Sequence, residues 1–247
     1  MRKRLSMHPL VHDYDLIVIG TGAGGGVAAH IAARLGKKVA VVENSAVGGE
    51  CPNFGCVPTK ALLQSAEYYV AAHNAKHFGV HVSNPHVNYG EVKKWKDRAV
   101  YNTGTEDGVS SLTNEGIDVI KGTAHFLSPR VLSVGKRRFS AHKFLIATGT
   151  HDVVPPIEGI KDVGYLTYKD AINLTERPDS LFVIGGCAIG CEFAYLFDSF
   201  GAKVQIAEFA PRLAFREDPE VGELLGGIFE QLGIAVHTSS KVTKVEK

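Results

Sequence analysis

The sequence predicts an α/β fold built on two βαβ units in tandem, the second of them incomplete. Three observations predict it. An apolar run of strand length, DLIVIG, leads into the glycine-rich turn GTGAGGG and an alanine-rich helix. That pattern returns over residues 180–208, which align with residues 15–43 without a gap. Between the two copies lie short apolar runs punctuated by glycine, proline and serine, as in a β-meander.

In the first copy, residues 15–19 read as a buried strand, 27–35 as a helix and 38–42 as a second strand. The repeat pairs Leu16 with Leu181, Gly20 with Gly185, Gly25 with Gly190, Ala29 with Ala194, Gly36 with Gly201 and Glu43 with Glu208. These identities fall on the strand, the turn glycines, the helix end and the terminal acid. Those positions are dictated by the mechanics of a nucleotide-binding turn, so the repeat predicts two separate dinucleotide sites.

The middle of the chain predicts a helix over 59–77, with Leu62, Ala66, Tyr69 and Val70 on one face. A more polar helix follows over 92–100 and resumes near Val109. Strands are expected at 117–123, 125–127, 131–134 and 144–147. Residues 150–164 read as a loop, with Pro155, Pro156 and two glycines, and the domain boundary is placed there. A helix over 219–232 and strands at 234–237 and 242–246 complete the reading. The domains expected are a leader over 1–13, a first domain over 14–150 and a second, truncated one over 151–247.

Composition excludes several classes. Lys plus Arg is 27 and Asp plus Glu is 26, so no basic field for nucleic acid is present. No apolar run reaches the length of a membrane span. The basic opening MRKR is followed by neither a long apolar stretch nor a small-residue cleavage site, and reads as a leader rather than a signal peptide. A cytoplasmic protein is expected. Four cysteines in such a setting point to catalysis or metal binding more than to structural staples.

In the first turn, Gly20 makes the bend, Gly22 lets backbone approach a pyrophosphate and Gly25 allows close packing of helix on strand. The helix start supplies N–H groups for phosphate oxygens. Glu43 ends the second strand, where it can accept ribose hydroxyls. This motif alone does not separate FAD from NAD. The segment GGECPNFGCVPTK then sets Cys51 and Cys56 five apart across a glycine turn, with Gly49 before them. Cys56 lies just ahead of the expected helix, a position where the helix dipole favours thiolate over thiol, and Lys60 adds positive charge one turn in. Two buried thiols or half a zinc site are the alternatives. No Cys-x-x-Cys partner pair or nearby histidine set supports zinc, and buried thiols have no need of the flanking glycines and proline.

GGECPNFGCVPTKALL resembles the active-site disulfide segment of the pyridine nucleotide–disulfide oxidoreductases, the family of dihydrolipoamide dehydrogenase, glutathione reductase and mercuric reductase. The order of motifs is similar too: glycine turn, cysteine pair, Ala147-Thr148-Gly149, second glycine turn. The stretch Phe215–Pro219 looks nearest to mercuric reductases and their dihydrolipoamide-dehydrogenase-like relatives. The resemblance implies two Rossmann-like FAD/NAD(P)-binding domains in tandem. It implies Cys51 as the thiol that meets substrate and Cys56 as the thiol against the flavin, forming the charge-transfer pair. It also implies that Lys60 is near the flavin and paired with Glu192. A hydride from NAD(P)H would reach FAD, and electrons would pass to Cys51–Cys56 and on to a small-molecule disulfide or metal ion. The resemblance further implies a homodimer whose partner subunit supplies a histidine base, with that region outside this sequence. A flavin- or nucleotide-binding module without turnover is the alternative.

The second turn departs from the family at one position. Cys187 stands where the family has glycine, and its Cβ is expected to intrude on the approach of backbone to pyrophosphate. Gly185 and Gly190 keep their places. Glu208 favours NAD(H) over NADP(H), because a carboxylate repels a 2′-phosphate. Cys187 and Cys191 are read as small residues packed at a helix start rather than as a second redox or metal pair. His73, His77 and His81 are read as a solvated helix end that Gly79 breaks, not as a metal site.

Overall fold

The computed structural model describes residues 12–104 and 107–247. The leader expected before Tyr14 therefore lies almost wholly outside the described residues. The chain divides into two compact units. One contains the chain up to Asn53 and Tyr101–His151; the other contains Phe54–Val100 and Asp152–Lys247. The last passage from the first unit to the second lies between His151 and Asp152. Residues 54–100 group with the second unit, because their helices share a core with its helices and strands.

The first unit holds a six-stranded sheet of order β3-β2-β1-β6-β5-β4. Its strands are β1 (Tyr14–Ile19), β2 (Val39–Glu43), β3 (Asp118–Lys121), β4 (Ala124–Ser128), β5 (Val131–Val134) and β6 (Arg137–Ile146). Strands β1, β2 and β3 run parallel, and β6 runs parallel to β1. Every residue of β2 is buried, as the near-continuous run VAVVE requires of a strand covered on both faces. Helix α1 (Ala23–Arg34) and the short α2 (Glu50–Asn53) follow the first two strands, and α5 (Gly108–Asn114) precedes β3. Ile17, Ala40, Val42, Leu132 and Phe139 pack in one core cluster of this unit, and Val18, Ala29, Val39, Val41 and Ile117 in another.

Strand β6 is longer than the sequence suggests. The strand expected at 144–147 is only its last turn of pleat. Residues 137–140 pair antiparallel with β5 and residues 141–146 pair parallel with β1. The charged and polar residues of RRFSAHK conceal the alternation, yet Phe139 and Ala141 point into the core.

The second unit holds a parallel sheet β7-β8-β9, made by β7 (Ser180–Ile184), β8 (Lys203–Ala207) and β9 (Ala235–His237). Its helices are α3 (Cys56–Asn74), α4 (Tyr89–Tyr101), the single turns α6 (Ile160–Val163) and α7 (Tyr168–Ala171), then α8 (Ala188–Ser199) and α9 (Pro219–Leu232). Leu62 and Ala66 of α3 meet Ala194 and Phe197 of α8 in one continuous core. A 3₁₀ turn, Ala75–Phe78, extends α3 and ends at Gly79 with φ 76°, where an L side chain would be strained. The strand expected at 242–246 does not form. That segment makes one parallel bridge, Glu158 to Lys244, with the Glu158 N–H donating to Thr243 O at 3.1 Å and Val245 N–H to Glu158 O at 2.9 Å. The glycine- and proline-rich loop opposite it offers no longer run of backbone to pair with. The helix expected from Thr59 starts at Cys56, since Pro58 at the third position is compatible with a first helical turn. Among the described residues no helix is long and apolar enough to cross a membrane.

Candidate functional site

Both glycine turns are built by the same backbone bonds. Gly20 N–H donates to Val42 O and Gly185 N–H to Ala207 O, each at 2.8 Å. Gly20 and Gly185 have φ of 95° and 107°. A Cβ on Gly25 would come 2.0 Å from Gly20 O, and one on Gly190 would come 2.0 Å from Gly185 O. Glycine is thus demanded at these positions by packing of helix on strand.

In the first unit, Gly20 is also crossed by the returning chain. A Cβ there would meet Ala147 O at 2.2 Å and Thr148 Cα at 3.3 Å. Ala147 N–H donates to Ile19 O at 2.8 Å, extending the β1–β6 pairing, and Gly149 follows with φ 69°. The segment Ala147-Thr148-Gly149 is therefore brought against the turn. Gly49 lies on its other side: with φ 71°, its Cβ would come 2.5 Å from Gly22 Cα.

Glu43 is 7% exposed and anchors this arrangement. Its Oε2 accepts Thr21 N–H at 3.0 Å and the Thr21 hydroxyl at 2.7 Å, and its Oε1 accepts Ser45 N–H at 2.8 Å. Burial pushes this carboxyl up, but the hydrogen bonds from Thr21 and Ser45, with Lys121 nearby, outweigh it and hold the group below its usual value. Thr21 Oγ1 also accepts Gly48 N–H at 3.2 Å. Sequence reading missed Thr21. A buried hydroxyl between two turn glycines was the available signal.

In the second unit, Glu208 follows β8 and does the same work with fewer bonds. Its Oε2 accepts Gly186 N–H at 2.6 Å and its Oε1 accepts Ala210 N–H at 2.7 Å. It is only partly buried, and a carboxylate offers about four acceptor sites. Capacity for ligand hydroxyls remains. Cys187 is the exposed N-cap of α8, with φ −71° and ψ 174°. Gly22, its counterpart, has φ −66° and ψ −168°. The backbone at this position is one that any residue adopts, so Cys187 places no strain on the turn itself.

Helices α1 and α8 share one more property. Neither has an acidic residue in its first turn or a side-chain cap bond. By contrast, α7 opens with a Thr167–Asp170 capping box. The leading N–H groups of α1 and α8 are left for an anion, and at Gly24 a Cβ would find nothing within 4 Å. The residues present therefore fit the pyrophosphate of a dinucleotide at each turn.

Cys51 is the second residue of α2, in the first unit, and is exposed. Cys56 is the first residue of α3, in the second unit, and is exposed as well. One turn along α3, the Lys60 ammonium pairs with the Glu192 carboxylate from α8. A cavity of about 340 Å³ opens beside this helix, lined by Cys56, Lys60, Gln64 and Trp95 among others. The Trp95 indole N–H donates to Ala61 O at 3.0 Å and ties α4 to α3.

Comparison with known proteins agrees with this geometry. The family model "Pyridine nucleotide-disulphide oxidoreductase" matches residues 14–247. A mercuric reductase of Bacillus cereus is 35% identical over 96% of the chain and 37% of its own length. A dihydrolipoyl dehydrogenase of Chlorobaculum tepidum is 38% identical over 96% of the chain and 51% of its own length. Among solved structures, the HOCl-induced flavoprotein disulfide reductase RclA from Escherichia coli superposes with a TM-score of 0.77 at 31% identity, over 94% of this chain and 50% of that one. The chain thus spans about half the length, or less, of these relatives. FAD and a pyridine nucleotide are the cofactors of such enzymes. With two matched dinucleotide turns, a cysteine pair between them and a family match along nearly its whole length, the chain belongs to the pyridine nucleotide–disulphide oxidoreductases.

Proposed function

We propose that the protein is an FAD-containing oxidoreductase that couples NAD(H) either to a small-molecule dithiol–disulfide pair, the couple named in dihydrolipoyl dehydrogenases, or to reduction of a metal ion, as mercuric reductases are named for. The observation that carries this reading is the Cys51–Cys56 segment set between two dinucleotide turns. Residues 14–150 would act as the FAD-binding domain and 151–247 as the NAD(P)H-binding domain. FAD, held at the first turn, would supply a two-electron relay between a reduced nicotinamide and the disulfide. In the dithiol form, Cys51 Sγ attacks the substrate disulfide, forming a mixed disulfide and releasing one thiol. Cys56 Sγ then attacks Cys51 Sγ, releases the second thiol and restores the Cys51–Cys56 bond. Lys60, held by Glu192, stands one turn along α3 from Cys56 and would lie near the flavin. Glu43 and Gly20, Gly22, Gly25 and Gly49 shape the first turn around FAD; Gly185, Gly190 and Glu208 shape the second around NADH. The Glu208 carboxylate supports NADH over NADPH. A homodimer, with an acid–base histidine from the partner subunit, and a cytoplasmic setting that keeps the thiols reducible complete the reading.

The test is spectroscopic. In the full-length flavoprotein, two-electron reduction should produce the long-wavelength band of a thiolate against the flavin. Cys56→Ser should abolish it, and Cys51→Ser should show it already with oxidised flavin, before any reduction, while ending turnover. A band that survives Cys56→Ser would reverse the roles given to the two thiols. NADH-driven assays with lipoamide and with mercuric ion then separate the two substrate classes.

A further inference from the structure

Gly186 is held on both sides, by its N–H and by its carbonyl. Its N–H donates to Glu208 Oε2 at 2.6 Å. Its carbonyl accepts Ala214 N–H at 2.7 Å and the buried Cys191 thiol at 3.4 Å. The residue has no room for a side chain, since a Cβ would come 2.5 Å from Leu213 Cδ2 and 3.1 Å from Glu208 Cβ. Among the described residues every peptide bond is trans. In a trans peptide the C=O of one residue points opposite to the N–H of the next. With the Gly186 carbonyl drawn inward by Ala214 and Cys191, the Cys187 N–H at the start of α8 must face the other way. That N–H is one of the leading donors the helix cannot satisfy itself.

The first turn holds its equivalent peptide differently. Thr21 stands where Gly186 does, and its hydroxyl clamps the turn to Glu43. Gly26 stands where Cys191 does, and a Cβ there would come 3.0 Å from Thr21 O. The second turn has lost the hydroxyl clamp and carries a thiol on the far side instead. Burial pushes the Cys191 thiol up to about 11, with Cys187 beside it, so Cys191 stays protonated and serves as a donor.

We infer that Cys191 is a positioning residue for the nicotinamide nucleotide: its S–H holds the Gly186 carbonyl so that the Cys187 N–H is presented to the bound pyrophosphate. This rests on the reading of the second turn as the NADH site. The test uses the full-length flavoprotein and NADH affinity measured by equilibrium titration. Cys191→Ala should weaken NADH binding by about threefold to tenfold, the range for one lost hydrogen bond, with flavin content and kcat at saturating NADH unchanged. Cys191→Ser keeps a donor and should restore affinity to within about twofold. Cys191→Val fills the space without a donor and should bind as Cys191→Ala does, which serves also if the alanine variant fails to fold. Unchanged affinity in Cys191→Val, or no rescue by serine, would overturn the positioning role alone. A wild-type protein that binds neither NADH nor NADPH would overturn the nucleotide reading beneath it.

Discussion

The two βαβ turns of this chain share a backbone and differ in almost everything attached to it. Gly20 and Gly185, Gly25 and Gly190, Glu43 and Glu208 occupy matching places and make matching contacts. Around them the solutions diverge. The first turn is clamped by Thr21, crowded by Gly49 and crossed by Ala147. Among the described residues the second has none of these and relies on Ala214, Cys191 and Leu213. Their strands differ as well. Strand β1 is flanked by β2 and β6, whereas β7 pairs with β8 and leaves Phe182 and Ile184 half exposed. Close packing of helix on strand is what the architecture insists on. The means of bracing the turn is free to change.

The comparison breaks most sharply at the shared glycines. Gly25→Ala and Gly190→Ala each drive a Cβ into a backbone carbonyl that has nowhere to go. Each should cost more than about 3 kcal/mol locally. Gly25→Ala should empty the protein of flavin, measured by absorbance per chain. Gly190→Ala should keep flavin and lose NADH binding. Equal loss of both cofactors in both variants would mean that the turns are not independent sites.

Next come the anchoring carboxylates. Glu43→Ala strands two backbone N–H groups and a hydroxyl, at about 1–3 kcal/mol for each donor left buried. Glu208→Ala strands two N–H groups near solvent and should cost less, as read by denaturant unfolding. Glu43 also predicts a pH dependence. Its folded value lies below its ordinary 4.5, so its contribution is complete well above 4.5 and disappears as pH falls through the folded value. Acid melting curves of wild type should therefore fall more steeply below pH 5 than those of Glu43→Gln.

A smaller effect tests the clamp itself. Thr21→Ala should cost about 1 kcal/mol through the lost hydroxyl bond, and Thr21→Ser should recover most of it. The smallest effect on stability belongs to Cys187→Gly, within a few tenths of a kcal/mol, because glycine is accepted at an N-cap and the backbone there is unstrained. NADH binding should nonetheless tighten by about 1 kcal/mol if the Cβ impedes the pyrophosphate. Isothermal titration of the two proteins decides this.

Much of the nucleotide architecture was legible in the sequence because glycine and β-branched runs respond to backbone demands that any copy must meet. The turn at 20–25, its repeat at 185–190, and the longer helices of both units could be read directly, whereas the single turns α2, α6 and α7 could not. The first part of strand β6 could not, because Arg137, Arg138, His142 and Lys143 are exposed on both of its faces and its pairing changes partner midway. The strand expected at 242–246 was read from local alternation, which says nothing about whether a neighbour is available. Ala214 and Cys191 were illegible as site residues for another reason. They act by holding a peptide plane, and the sequence shows no pattern for bonds made across such separations.

Strand β6 has a consequence for how the chain acquires its shape. Asp13, at the entrance to β1, receives the Ser140 N–H at 2.8 Å and the Ser140 hydroxyl at 2.9 Å across 127 residues. The central strand of the first sheet thus waits for a partner made long after it during synthesis, and at about 5–20 residues per second that interval is roughly 6–25 s. Until then one edge of β1 has no neighbour from this sheet, and closure carries the entropy of a very long loop. A slow, late-forming sheet of high contact order follows, with a window in which the nascent chain is vulnerable to strand-to-strand association and in need of chaperone cover.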